Sequence, residues 1–309
     1  MKEFVADVCS SAPDFLGECC RWDEVHSELM WVNQSSGPGQ VYRATVEGTR
    51  VTVVRRYELP GSPSAFAPLS DPDQGWIVAM DQSLVLMDRQ GSLREVAVPE
   101  AHHGRDVHTN DGAADPWGRF WIGSMGNAAD DGLGSLYRYD AREGLTTVME
   151  GLTISNGIAW SPDRATMYHV DSGPGTIRAY DVDERGELSS PRVFAQFDVA
   201  REGTPDGICL DENGALWVAV WGGYEVRHYS PQAELLGRVR LDTAQPSSCA
   251  LGGPDGTTLY ITTAQEDMSA EQLAAQPHAG RLFCASVGVR GLPLASFDIR
   301  QIRTEEQND

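Results

Sequence analysis

Hydrophobic residues in this chain come in short runs, many of them β-branched or aromatic, separated by polar turns. Leu29-Met30-Trp31-Val32, Val41-Tyr42-Arg43-Ala44, Val51-Thr52-Val53-Val54, Trp76-Ile77-Val78-Ala79 and Leu84-Val85-Leu86-Met87 are examples. Runs of this length bounded by Asp, Pro and Gly predict strands. The turns themselves recur, as Asp115-Pro116-Trp117-Gly118, Ser161-Pro162-Asp163, Asp211-Glu212-Asn213-Gly214 and Gly253-Pro254-Asp255-Gly256. Four longer segments repeat one theme, a polar leader followed, in three of them, by glycine and a hydrophobic strand. They begin at Asn110-Asp111-Gly112, Asn156-Gly157, Asp206-Gly207 and Ser248-Cys249. They run on to Phe120-Trp121-Ile122-Gly123, Met167-Tyr168-His169-Val170-Asp171, Leu216-Trp217-Val218-Ala219 and Leu259-Tyr260-Ile261-Thr262. Leaders at 110, 156, 206 and 249 lie 46, 50 and 43 residues apart. Short strands repeating at roughly 40–50 residues predict an all-β chain, a β-propeller. Such a fold aims the first strand of every blade at one central channel, where residues distant in sequence meet.

An outer-strand pattern repeats as well, in Gly134-Ser135-Leu136-Tyr137-Arg138-Tyr139-Asp140, Gly175-Thr176-Ile177-Arg178-Ala179-Tyr180-Asp181 and Gly280-Arg281-Leu282-Phe283. Two weaker repeats precede the four, from Leu16-Gly17-Glu18 to Val41-Tyr42-Arg43 and from Ser64-Ala65-Phe66-Ala67 to Leu86-Met87-Asp88. The count predicts six blades in a single domain over 1–309. Only Met268 to Ala275 reads as helical, and residues 304–309 read as a frayed tail. The segment Phe4-Val5-Ala6-Asp7-Val8 is placed to complete the last blade.

Charge narrows the partners. A formal net charge of −21 repels phosphate backbones and argues against nucleic acid. The start of the chain lacks the apolar core of a signal peptide, and no apolar run reaches transmembrane length, which predicts a cytoplasmic protein with no membrane association. Six cysteines, Cys9, Cys19, Cys20, Cys209, Cys249 and Cys284, show no CxxC pairing and read as buried thiols in a reducing compartment. A small-molecule substrate and a monomer or small homo-oligomer are the remaining expectations.

Glu18 opens the first repeat between a glycine and an apolar strand, at the phase that Asn110, Asn156 and Asp206 occupy later. Carboxylates with amide carbonyls make a hard oxygen set suited to Ca²⁺, Mg²⁺ or Mn²⁺, and able to hold Zn²⁺ or Fe²⁺ when waters complete the shell. Asn-Gly and Asp-Gly are also the strongest hairpin turn signals, so Asn156 and Asp206 carry that second reading. Three histidines, His102, His103 and His108, fall close together without a recognisable ligand spacing and read as a loop at the channel mouth. Trp221-Gly222-Gly223 is a candidate pocket lining, whereas Trp31, Trp121 and Trp217 read as packing between blades.

The ordered series Leu16-Gly17-Glu18, Asn110-Asp111-Gly112 with Asp115-Pro116-Trp117-Gly118-Arg119-Phe120-Trp121-Ile122-Gly123-Ser124-Met125, Ile154-Ser155-Asn156-Gly157, Pro205-Asp206-Gly207, Cys249-Ala250-Leu251-Gly252-Gly253 and Leu259-Tyr260-Ile261-Thr262-Thr263-Ala264 resembles the gluconolactonase, senescence-marker-protein and regucalcin family of six-bladed propellers. The resemblance runs from Leu16 to about Pro293. It implies one divalent cation held by Glu18, Asn156 and Asp206, with Asn110 beside it contacting substrate. It also implies hydrolysis of a lactone by metal-activated water, with Asp206 as the candidate general base. Three departures touch substrate recognition. His108 stands where the family's lactone hydrolases usually carry an arginine, and an imidazole has at most two donors against five. Asn127-Ala128-Ala129 replaces an acidic pocket position, and Val32-Asn33-Gln34 replaces Val-Asp-Ile. These changes leave open a different metal-dependent reaction, on an ester, a phosphoester or a biosynthetic intermediate. A non-catalytic calcium- or ligand-binding propeller is the third reading.

Overall fold

The computed structural model describes residues 1–99, 104 and 106–301. Within them, six sheets, antiparallel but for one added strand, form the six blades of a β-propeller. Blades 1 to 4 span 16–58, 63–97, 107–152 and 155–196, each with four strands ordered from the channel outward as they occur in sequence. Blade 5 spans 204–240 and blade 6 begins at 246. The first eight residues are split between the last two blades. Asp7–Val8 pairs antiparallel with Phe283–Ser286 and completes blade 6, as expected for this segment, while Lys2–Val5 adds a fifth, parallel strand to the outside of blade 5. Unpaired strand edges on two blades are thereby covered.

The recurring turns have a specific chemistry. Asp115 Oδ1 accepts from the Trp117 and Arg119 amides, and its Oδ2 accepts from the Trp121 indole at 2.8 Å. Asp211 does the same for Asn213, Ala215 and the Trp217 indole. One carboxylate thus closes the turn and fixes the tryptophan that begins the next strand, which explains why Asp and Trp repeat together. Both indoles are buried; Trp121 meets Trp160 of the next blade edge-to-face at 5.6 Å, and Trp217 stacks on His228 of its own blade.

The Asn-Gly and Asp-Gly pairs are not turns. Asn156 and Asp206 lie inside the strands Ser155–Trp160 and Thr204–Leu210, at bulges where the register with the neighbouring strand shifts. Their glycines are required by crowding instead. A Cβ on Gly157 would come within 2.6 Å of the Asp206 carbonyl oxygen, and one on Gly207 within 2.8 Å of Ser248 Cα. The innermost strands touch backbone to backbone at this level, and polar side chains stitch each blade to the next. Examples are Ser64 Oγ to Thr109 Oγ1, Asn110 Nδ2 to the Ser155 carbonyl, and Ser172 Oγ to the Pro205 carbonyl.

Beneath the ring, residues 290–298 run across the lower face. Gly291 bridges Asp211 of blade 5, Phe297 bridges Leu69 of blade 2, and the Asp298 amide donates to Gly118 of blade 3. Phe297 is fully buried against Tyr139. The helix expected near 268–275 occupies Ala270–Ala275 behind a Ser269 capping box, and a second short helix, Val199–Glu202, was not legible in the sequence. Among the described residues no helix is long and apolar enough to cross a membrane. Residues 304–309, read as a frayed tail, lie outside the described residues.

Candidate functional site

Glu18, Asn156 and Asp206 come from the innermost strands of blades 1, 4 and 5, at the end of the channel opposite residues 290–298. Bulges at Glu18/Arg21, Ser155/Ile158 and Pro205/Ile208 twist each strand at the same level, so that consecutive residues address the channel. Asn156 and Asp206 are buried and Glu18 is half-buried. Asn156 lies close enough to Asp206 to act on its carboxyl, and its Nδ2 donates to Ser172 Oγ at 3.0 Å. Ser172 Oγ in turn donates to the Pro205 carbonyl, so the amide that faces Asp206 is held by both neighbouring strands. Glu18 Oε2 accepts the long Cys19 amide contact, 3.4 Å, and Cys19 takes a positive φ of 50° to present it.

The electrostatics are those of crowded carboxylates. Burial first, then the charges of Asp206 and Asp111, hold the Glu18 carboxyl well above its ordinary range. Burial and Asp111 do the same to Asp206, against the opposing pull of the Gly207 amide and Asn156. Asp206 Oδ1 is buried and has no hydrogen-bond partner among the described residues. A buried carboxylate oxygen left without a donor costs on the order of 1–3 kcal/mol.

Three residues of this neighbourhood went unnoticed as site residues. Asp111 is buried next to Asn110, accepts from the Gly112 amide at 2.7 Å, and lies 3.6 Å from Arg21 Nη2. Arg21 extends from blade 1 below the acidic cluster, donating to the Cys20 carbonyl at 2.9 Å and to the Gly112 carbonyl of blade 3 at 3.0 Å. Glu266, in the loop of blade 6, acts electrostatically on both Glu18 and Asp206. Asp111 and Arg21 left a sequence signal, a charge one step from a candidate and a lone arginine within a buried strand. Glu266 left none.

Asn110 is half-buried, and its Nδ2 donates across to the Ser155 carbonyl next to Asn156. His108, two residues earlier on the same strand, is tied at Nδ1 to Asn127 Oδ1 at 2.5 Å, and Asn127 Nδ2 donates to Asp106. Asn33 proves to be a cap rather than a pocket group. Its Oδ1 accepts from the amides of Phe15 and Leu16, which lead into the strand that carries Glu18. His102 and His103 lie outside the described residues. Trp221 is half-buried at the mouth end of its strand. All six cysteines are free.

Residues 16–265 match the family model described as the SMP-30/Gluconolactonase/LRE-like region. The chain belongs to this family. Among SMP-30/gluconolactonase relatives, it is 34% identical over 279 residues to a 6-deoxy-6-sulfogluconolactonase of Pseudomonas putida, covering 90% of this chain and 94% of that one. It is 37% identical over 288 residues to regucalcin of Danio rerio, covering 91% and 94%. A solved structure described as a calcium-binding protein, regucalcin, from Agrobacterium tumefaciens superposes with a TM-score of 0.85 at 29% identity, covering 96% of this chain and 98% of that one.

Proposed function

We propose that this protein is a lactonase that opens a sugar lactone or related cyclic ester, with one divalent cation held by Glu18, Asn156 and Asp206. The observation that carries the reading is the crowded, under-compensated pair of carboxylates, with Asp206 Oδ1 buried and without a hydrogen-bond partner among the described residues. Such a donor set, two carboxylates and an amide oxygen, fits a hard divalent ion whose shell water completes. Relatives named as lactonases and a neighbour described as calcium-binding support the same reading. When bound, the cation would supply Lewis-acid polarisation of the lactone carbonyl and acidify a water.

The residues of the chain do the rest. Asn156, fixed by Ser172, keeps Asp206 oriented. The Asp206 carboxylate takes the proton of the attacking water and returns it to the departing ring oxygen. Asn110 and His108 line the approach and contact the hydroxyls of the substrate. Arg21 closes the floor under the cluster and keeps bulk water from reaching it from below. With His108 committed to Asn127, the approach has an imidazole edge in place of a guanidinium fork. This favours weaker binding of the common aldonolactones than a guanidinium would give.

A panel of glucono-, galactono-, xylono- and arabinonolactone, followed by acid release, tests the reading. Turnover should vanish on chelation, return with added Ca²⁺, Mn²⁺ or Zn²⁺, and be absent in Asp206→Ala. If no member of the panel is hydrolysed by the cation-loaded protein, the reaction belongs to another ester class. If the cation raises thermal stability and nothing is turned over, the protein is a binding propeller.

A further inference from the structure

A cavity of about 660 Å³ lies at the lower end of the channel, below Arg21 and above the strap of residues 290–298. Cys20, Cys209 and Cys249 are among its lining residues. Two of these thiols face each other across neighbouring blades. Cys209 is on the innermost strand of blade 5 and Cys249 on that of blade 6, with their sulfurs 3.8 Å apart. Here the polar stitch between adjacent blades, supplied elsewhere by Ser, Thr or Asn, is a pair of thiols. The two strands are in backbone contact just above, at Gly207 and Ser248, so the sulfurs need approach by only about 1.8 Å to reach bonding distance.

The pair is asymmetric in a way that suits stepwise oxidation. Cys209 is half-buried, while Cys249 is fully buried. The Arg21 guanidinium lies within electrostatic reach of Cys209. Cys249 is kept protonated by its hydrogen bond to Cys209 and by burial. A partly accessible thiol near a guanidinium with a second thiol behind it is the arrangement that peroxide-responsive sites use.

We propose that Cys209 and Cys249 are a reversible oxidation site that links blades 5 and 6 by a disulfide when the protein meets hydrogen peroxide. In the first step the Cys209 thiolate attacks one peroxide oxygen. An S–O bond forms, the O–O bond breaks, and hydroxide leaves, giving a sulfenic acid. In the second step the Cys249 sulfur attacks that sulfenic sulfur. The S–S bond forms, the S–O bond breaks, and the departing hydroxide leaves as water with the Cys249 proton. Two thiols lose two electrons in total, and the peroxide is reduced to two waters. A dithiol reductant reverses the change. The bond would form three residues below Asp206 on the same strand, in the wall of the channel.

Full-length protein treated with a modest excess of peroxide tests this by thiol titration in denaturant and peptide mapping. Free thiols should fall from six to four, with a linked peptide containing Cys209 and Cys249, and dithiothreitol should restore six. In Cys249→Ser, Cys209 should stall as a sulfenic acid and be trapped by dimedone. In Cys209→Ser neither the adduct nor the link should form. Retention of all six thiols, a link between the buried Cys9 and Cys284 instead, or a dimedone adduct on Cys249 would each overturn the proposal. Mapping of the unsubstituted protein stands even if a variant fails to fold.

Discussion

Arg21 of blade 1 reaches across to blade 3, where its Nη2 donates to the Gly112 carbonyl at 3.0 Å. The same nitrogen lies 3.6 Å from Asp111 Oδ1, and both side chains are almost wholly buried. One guanidinium therefore joins two non-adjacent blades and offsets one of the carboxylates gathered at the candidate site. Replacing it with an apolar side chain leaves Asp111 buried without its cation. Arg21→Met should lower unfolding free energy by about 3–5 kcal/mol in urea denaturation. Asp111→Asn in that background should recover part of the loss. An equal loss in the double variant would mean that Arg21 acts only through packing.

Asp206 should show the opposite sign. Its Oδ1 is buried without a partner, so the carboxylate is a cost to the cation-free fold. Asp206→Asn should raise cation-free stability by about 1–3 kcal/mol, and at the same time abolish the rise in melting temperature that Ca²⁺ or Mn²⁺ gives the unsubstituted protein. Differential scanning calorimetry with chelator and with cation reads both effects.

Asp14 supplies a pH dependence away from the site. It is buried, accepts from the Trp31 indole at 2.8 Å, and burial pushes its carboxyl up to about 7. Between the ordinary carboxylate range and that value, the folded state keeps a proton that the unfolded chain has released, so stability falls as pH rises through this window and levels off above it. Asp14→Asn removes the effect. The stability of the variant relative to the parent should rise from pH 5 to pH 7.5, by at most about 1.4 kcal/mol per pH unit. A constant difference across that range would remove Asp14 as the source.

His108 bears on substrate. If the approach is limited by its two-donor imidazole, His108→Arg should raise kcat/KM on sugar lactones about tenfold, mainly through KM. No change would locate the difference in pocket shape elsewhere, with Asn127 and Asp106 the next positions to vary.

The blades and the phase of the site were legible because a propeller repeats. A polar leader at a fixed place in each repeat marks the channel whatever the side chain. Glu18, Asn110, Asn156 and Asp206 could be grouped on that ground, while the choice of Glu18, Asn156 and Asp206 as ligands came from the family resemblance; the inner strands carry all three. Arg21 was hidden because its partners are a carbonyl and a carboxylate some 90 residues away, a pairing set by the ring and not by local pattern. Gly157 and Gly207 misled for a related reason. Their neighbours in sequence spell a turn, while their neighbours in space, Asp206 and Ser248, leave no room for a Cβ. Asn33 stood out as a departure from the family pattern, yet its work is to cap Phe15 and Leu16.

The strap of residues 290–298 and the bar made by Arg21 lie across one end of the channel, which leaves the Glu18 end as the approach. Reactant and product that both use that end share one route. An acid formed at the bottom of such a blind well cannot be passed through and must back out before the next molecule enters. Inhibition by product should therefore be purely competitive, and turnover at high conversion should be governed by departure rather than by ring opening.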